Sequence, residues 1–312
     1  MERPVLGPLR GRMSLRQASP VYINTSRGLR IACRLLGAHH RGPTAILTSG
    51  IGCGPVFMDA IAHELARDHR VVYWDYRAHG GSDVAPDGRY AIADHAEDLN
   101  AVVQTFAREE RPVLVSFSMG VQVAVEWTRT HPQDAAAYVF MLGVPRNPMH
   151  RTRVLRRNAA RLAARIAQHG EPLLSLVQPF SKAALRSQMT WRVARSVGVI
   201  DPHCPREEFL EFVRYATNVP LDAYLGCCAG LLEHDATEVF DAIRQPVLML
   251  AAEGDVFISS DECRDFSERL SHARFELLRY ASHAGSIEYG GYVAGAIRRF
   301  LESSRQAIAN AA

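Results

Sequence analysis

Three side chains far apart in the chain, Ser118, Asp255 and His283, have the types and local settings for nucleophilic acyl chemistry. A serine hydroxyl at its ordinary pKa is a poor nucleophile; it needs a base, and the base needs an orienting acid. Ser118 lies in Arg111-Pro112-Val113-Leu114-Val115-Ser116-Phe117-Ser118-Met119-Gly120, where a short apolar run ends in a serine flanked by small residues. An amphipathic run, 121–129, follows at once, so the order reads strand, tight turn, helix. A non-glycine residue at such a turn is held in a strained backbone, and the positions two before and two after it must be small. Here these are Ser116 and Gly120. The turn lifts the hydroxyl clear of a sheet and aims the first helical amides at whatever it attacks. Asp255 stands just past the apolar run 246–252, and His283 follows the last strand-like run, 274–278.

Strands must bring these residues to one edge. Strand-like runs at 20–24, 29–36, 44–48, 70–76, 111–117 and 136–142 are separated, from the third onward, by helical patterns at 56–67, 91–108 and 121–130. That alternation implies a parallel sheet covered on both faces, and such sheets bind ligands beyond the carboxyl ends of their strands. From residue 145 to about 236 the alternation stops, and only helical patterns remain, at 152–168, 173–197, 206–217 and 222–233. We read 146–236 as an inserted helical cap (lid), with a core made of 1–145 and 237–312. The core resumes with a strand at 246–252, a helix at 261–270, a strand at 274–278 and a closing helix at 287–301. Residues 1–18 read as a mobile basic lead-in.

The motifs together resemble the α/β-hydrolase fold superfamily. The pattern around Ser118 is similar to that family's nucleophile elbow, as S-x-S-x-G instead of G-x-S-x-G. Asp75 through Asp83 resembles its D-x-R-G-x-G-x-S-D loop, with Ala78-His79-Gly80-Gly81-Ser82 in place of G-x-G-x-S. Residues 243–255 resemble its approach to the acid, and the order Ser118, Asp255, His283 is the order the family uses. The resemblance covers nearly all of the chain outside the cap. It implies a mostly parallel, doubly wound sheet with an inserted helical cap, and a Ser-His-Asp triad. An oxyanion hole needs two converging amides. One is expected from Met119, next after the nucleophile; by resemblance the other is Ile51, because Ser49-Gly50-Ile51 occupies the place of the family's H-G-x. Ser49, standing where that histidine would be, supports the loop or reaches the substrate itself. Each residue also has a plainer role to set against this one: a turn serine at 118, a helix cap or ion-pair acid at 255 with Glu253 as its nearest substitute, a structural histidine at 283. His79 and Ser82 are expected to shape their loop, and Cys227 and Cys228 to pack a helix.

Composition narrows the class further. The chain has 312 residues, 47% of them hydrophobic and 22% charged, as in a soluble globular protein long enough for one large α/β domain. A formal net charge of +3 is too small to argue for nucleic acid. No apolar run approaches the roughly 20 residues of a membrane span. The first 17 residues carry arginines but no apolar signal core, so export is not expected. The six cysteines lack CxxC spacing, which suits free thiols in a cytoplasmic setting. Neither a metal nor an organic cofactor is called for.

Haloalkane dehalogenases and epoxide hydrolases of the superfamily use an aspartate where this chain has Ser118. The expected activity is therefore hydrolysis of a carboxylic ester or thioester of a small, largely apolar substrate through an acyl-enzyme. Carbon–carbon bond hydrolases and acyltransferases keep the same triad, and a ligand-binding protein on a retained hydrolase fold is the reading from another class. Met189, Trp191, Phe209, Phe212, Tyr215 and Tyr224 are candidates to line an apolar pocket, or else to pack the cap helices together. The arginines at 151, 153, 156, 157, 161 and 165 form a solvated face or dock an acyl carrier or CoA thioester. The oligomeric state is left open.

Overall fold

The computed structural model describes residues 14–40, 42–148, 185–196 and 198–311. The strands are β1 (Val21–Asn24), β2 (Arg30–Leu36), β3 (Ala45–Thr48), β4 (Val71–Trp74), β5 (Val113–Phe117), β6 (Ala137–Met141), β7 (Val247–Ala252) and β8 (Ala273–Leu278). They form one sheet in the order β1-β2-β4-β3-β5-β6-β7-β8. β2 runs antiparallel to β1 and β4, and every other pairing is parallel. β3 to β7 are buried along their whole length, which explains their almost wholly apolar runs, with Thr48 and Ser116 the exceptions: a parallel strand covered on both faces has no polar side to show.

Among the described residues the helices, in chain order, are α1 (Asp59–Leu65), α2 (Ile92–Phe106), α3 (Met119–Thr130), α4 (Gln188–Ser196), α5 (Arg206–Ala216), α6 (Leu221–Glu233), α7 (Thr237–Asp241), α8 (Ser260–Glu268), α9 (Gly285–Glu288), α10 (Gly290–Ser303) and α11 (Arg305–Ala311). Side chains alternate across the sheet, so each strand feeds two cores. Ile46 and Leu114 join Leu99, Val125, Trp127 and Phe266 on the face under α2, α3 and α8. Leu47, Val113, Val115 and Phe117 join Ile61, Leu65, Ile297 and Phe300 on the face under α1 and α10.

Two local expectations are corrected. The lead-in was expected to be mobile to residue 18, yet Leu15 is fully buried, its N–H donates to Asp59 Oδ1 at 2.7 Å, and Ala18 is buried beside it. The scattered apolar residues of this arginine-rich stretch carry no periodic signal, but Leu15 fills a site in the α1/α10 core. The closing helix is two helices, broken at Tyr289 (φ −130°). Gly290 there comes so close to α1 that a Cβ would stand 2.8 Å from the Ala60 methyl.

Between β6 and β7 the chain makes a long excursion containing α4, α5 and α6, and it leaves and re-enters the core at one point. Arg146 and Asp235 form an antiparallel bridge, Ala236 N–H donates to Pro145 O at 2.9 Å, and Asn147 N–H donates to His234 O at 3.0 Å. The basic stretch 151–165 lies outside the described residues.

Candidate active site

Ser118 sits between β5 and α3 with φ 54° and ψ −120°, a conformation an L-residue adopts only where its surroundings enforce it. The enforcement comes from close packing. A Cβ at Gly120 would stand 2.4 Å from Thr48 O, so only glycine lets α3 start this near β3. Among the described residues, four non-glycines have positive φ: Ala78, Ser118, Leu142 and Tyr280. They follow β4, β5, β6 and β8 respectively, so the strained backbone gathers at the carboxyl edge of the sheet.

His283 and Asp255 reach that edge from the loops after β8 and β7. His283 Nε2 lies 3.0 Å from Ser118 Oγ, and His283 Nδ1 lies 2.7 Å from Asp255 Oδ2. Asp255 Oδ1 accepts from the N–H groups of Phe257 (2.8 Å) and Ile258 (3.0 Å), which fixes the carboxylate on its own loop. The Asp255 side chain is 1% exposed and that of His283 18%. The imidazole contacts the buried Phe117 ring and the half-exposed Phe257 ring, at centroid distances of 5.3 and 5.1 Å. Glu253, the alternative acid, is exposed.

Met119 opens α3 directly after the serine, so its N–H is one of the donors a helix start leaves unpaired. The loop after β3 comes up against the same point: a Cβ at Gly50 would lie 3.0 Å from the Ser118 Cβ. Among the described residues neither Ile51 nor Met119 donates its N–H to an acceptor in the chain. Ser49 is buried, its hydroxyl is without a partner there, and its carbonyl accepts from Tyr76 OH at 2.6 Å.

His79 holds this loop from below. Its Nε2 lies 3.1 Å from the Gly52 N–H and so is the acceptor nitrogen; its Nδ1, 3.0 Å from Arg77 O, is then the donor. Burial lowers the His79 pKa below the ordinary imidazole value, consistent with this neutral tautomer. Ser82 closes the loop after β4 that carries His79, donating to Asp75 O and accepting from the Ala32 N–H. Arg77, fully buried, anchors it to α2 with two bonds to Asp98, at 2.7 and 2.9 Å.

The pocket candidates from the excursion are distributed differently. Tyr215 packs on Gly54 and donates its hydroxyl to the buried Asp75 Oδ1 at 2.7 Å. Asp75 also binds Arg34 at 2.9 Å and the Gly81 N–H at 3.2 Å. Tyr224 packs on Gly52, beside the loop that carries Ile51. Phe212 meets Phe57 edge-on at 5.3 Å, and Phe57 in turn meets Phe117 at 5.1 Å; Phe209 lies tilted against Phe212 at 5.8 Å. Trp191 donates its ring N–H to Cys204 O at 3.2 Å, and Met189 is 59% exposed. Cys227 is buried in α6 with its sulfur 3.4 Å from His95 Nε2. The clasp of Tyr215 on Asp75 went unread in the sequence, since nothing local links residues 140 positions apart.

Among the described residues no cluster of three His, Cys, Asp or Glu could hold a metal, and no helix is long and apolar enough to cross a membrane. A family model described as the alpha/beta hydrolase fold matches residues 46–288. RutD of Variovorax paradoxus, provisionally named a carbamate hydrolase, is 26% identical over 250 residues, covering 79% of this chain and 86% of the relative. A thermophilic esterase from Thermogutta terrifontis superposes with a TM-score of 0.72 at 22% identity, covering 92% of this chain and 99% of the esterase. An enol-lactonase from Burkholderia xenovorans superposes with a TM-score of 0.70 at 20% identity, covering 90% and 100%. At these identities the two structural matches speak for the fold alone.

Proposed function

This chain belongs to the alpha/beta hydrolase fold family, and on that premise we propose that it is a serine hydrolase. Its substrate is a carboxylic ester or thioester of a small, largely apolar acid. The observation that carries the reading is the relay in which one imidazole lies 3.0 Å from the Ser118 hydroxyl and 2.7 Å from the Asp255 carboxylate. In the reaction His283 Nε2 takes the hydroxyl proton as Ser118 Oγ attacks the carbonyl carbon. Asp255 holds Nδ1 protonated and steadies the imidazolium that forms. The same proton passes to the leaving oxygen or sulfur, and water then attacks the acyl-enzyme with His283 again as base. The N–H groups of Met119 and Ile51 receive the oxyanion; one such donor stabilises the transition state by about 3 kcal/mol.

Residues 146–236 act in this reading as a cap that selects the acyl group. The meeting of its ends at Arg146 and Asp235, and the seating of Tyr215 and Tyr224 on the loop of Ile51, support that role. A second reading follows from the similarity to RutD over 79% of the chain: the scissile carbonyl belongs to a carbamate, and an amine takes the leaving-group proton.

A panel of p-nitrophenyl esters of increasing acyl length, thioesters and carbamates, run beside Ser118→Ala, tests both. Turnover should fall on the order of 10⁴-fold or more in the variant. A fluorophosphonate should label the native protein and not Ser118→Ala. A native protein that stays unlabelled while binding an apolar ligand would sink the enzymatic reading.

A further inference from the structure

We propose that Glu288 is a positioning residue that sets His283 and ties that setting to the excursion between β6 and β7. The inference rests on the reading of His283 as the base. Glu288 ends α9, five positions after His283. Its Oε1 accepts from Ser282 Oγ at 2.6 Å and from the Asp201 N–H at 2.7 Å, and its Oε2 accepts from the Ser282 N–H at 2.8 Å. Ser282 Oγ in turn accepts from the Ala284 N–H at 3.0 Å. Both neighbours of His283 are therefore bound into one network with a single carboxylate at its centre.

The third donor makes this more than a local brace. Asp201 lies between α4 and α5, 87 positions away, inside the excursion. The other two members of the relay are held without that segment. Ser118 is fixed by its turn against β3, and Asp255 by two N–H groups of its own loop. Among the described residues the imidazole is the one reacting group whose loop is hydrogen-bonded across to the excursion. Burial pushes the Glu288 carboxyl above its ordinary pKa, while three donors converging on two oxygens favour the ionised form that accepts from them all. A seated excursion thus completes the clasp, and a displaced one removes a bond from the carboxylate that holds the histidine loop.

Glu288→Gln tests this. In either orientation the amide NH2 faces a donor, so one end of the clasp must open. On a p-nitrophenyl ester, kcat should fall about 10- to 100-fold with KM within about twofold, the scale expected when a catalytic group is misplaced by about 1 Å. Fluorophosphonate labelling of Ser118 should slow in parallel. Hydrogen exchange should quicken both in 281–288 and in 198–206. Ser282→Ala keeps the backbone part of the clasp and should lose about 3- to 10-fold in kcat; it decides the matter if Glu288→Gln does not fold. A folded Glu288→Gln with kcat and labelling within twofold of the parent would overturn the positioning role. Faster exchange confined to 281–288 would overturn the tie to the excursion. Turnover retained in Ser118→Ala would instead refute the functional reading, and the exchange result would still report on the clasp.

Discussion

At the carboxyl edge of the sheet the backbone itself positions Ser118 and Asp255. Ser118 is set by a strained turn against β3, and the Asp255 carboxylate by two amides of its own loop. In the excursion between β6 and β7 side chains do that work. Tyr215 gives its hydroxyl to Asp75, Trp191 its ring N–H to Cys204 O, and Arg186 binds Thr217 at 2.8 Å and Asn218 at 2.6 Å. A backbone-built site keeps its geometry through most substitutions; a side-chain-built segment can be rewritten residue by residue. The contrast teaches where to look for mechanism and where for selectivity.

The contrast can be broken at His79, which belongs to the edge although it is a side chain. His79→Ala removes the acceptor of the Gly52 N–H and frees the loop carrying Ile51. We expect kcat to drop about 10- to 100-fold, below the 10²- to 10³-fold of a deleted oxyanion donor because the amide is displaced and not lost. His79→Gln, which can still accept from Gly52, should recover part of it. Unchanged kcat in His79→Ala would mean that the loop holds itself.

Tyr215→Phe sharpens the same contrast from the other side. It strips a donor from a fully buried carboxylate, so unfolding free energy in urea should fall by about 1–2 kcal/mol. Because the bond seats the excursion and not the relay, kcat should stay within about threefold. A larger loss in kcat than in stability would place Tyr215 in the reaction.

A smaller effect concerns pH. His79 and His95 are both buried, and burial is the largest cause that lowers the pKa of each below the ordinary imidazole value of about 6.5. Each is neutral when folded and binds a proton more readily when unfolded. Their contribution to stability is complete above pH 6.5 and is lost as pH falls through the folded values. The melting temperature should therefore decline from pH 7 to pH 5, and His95→Asn should decline less steeply, whatever its absolute stability. An equal slope in that variant would assign the acid loss to other groups.

How much of this was legible follows from the range of each signal. β5 and its serine read directly, because a short apolar run, a turn with small residues two before and two after its serine, and a helical period adjoin one another. Asp255 and His283 read through their places after β7 and β8, which topology then carries to one edge. The division at Tyr289 did not read, because the apolar spacing of the helix runs straight through it. The partners of Asp75 and Glu288 did not read either: a buried carboxylate looks like any surface acid until the fold supplies its donors. Leu15 was hidden for the opposite reason, because the apolar residues around it follow neither a helical nor a strand period.

The pairing of Arg146 with Asp235 closes the base of the excursion. Arg146 and Asp235 bring the two ends of the excursion together, while Phe209, Val213, Ala223 and Cys227 from within it are packed into the two cores. Any rearrangement of the segment between them would still have to offer an N–H to Glu288 where Asp201 now does.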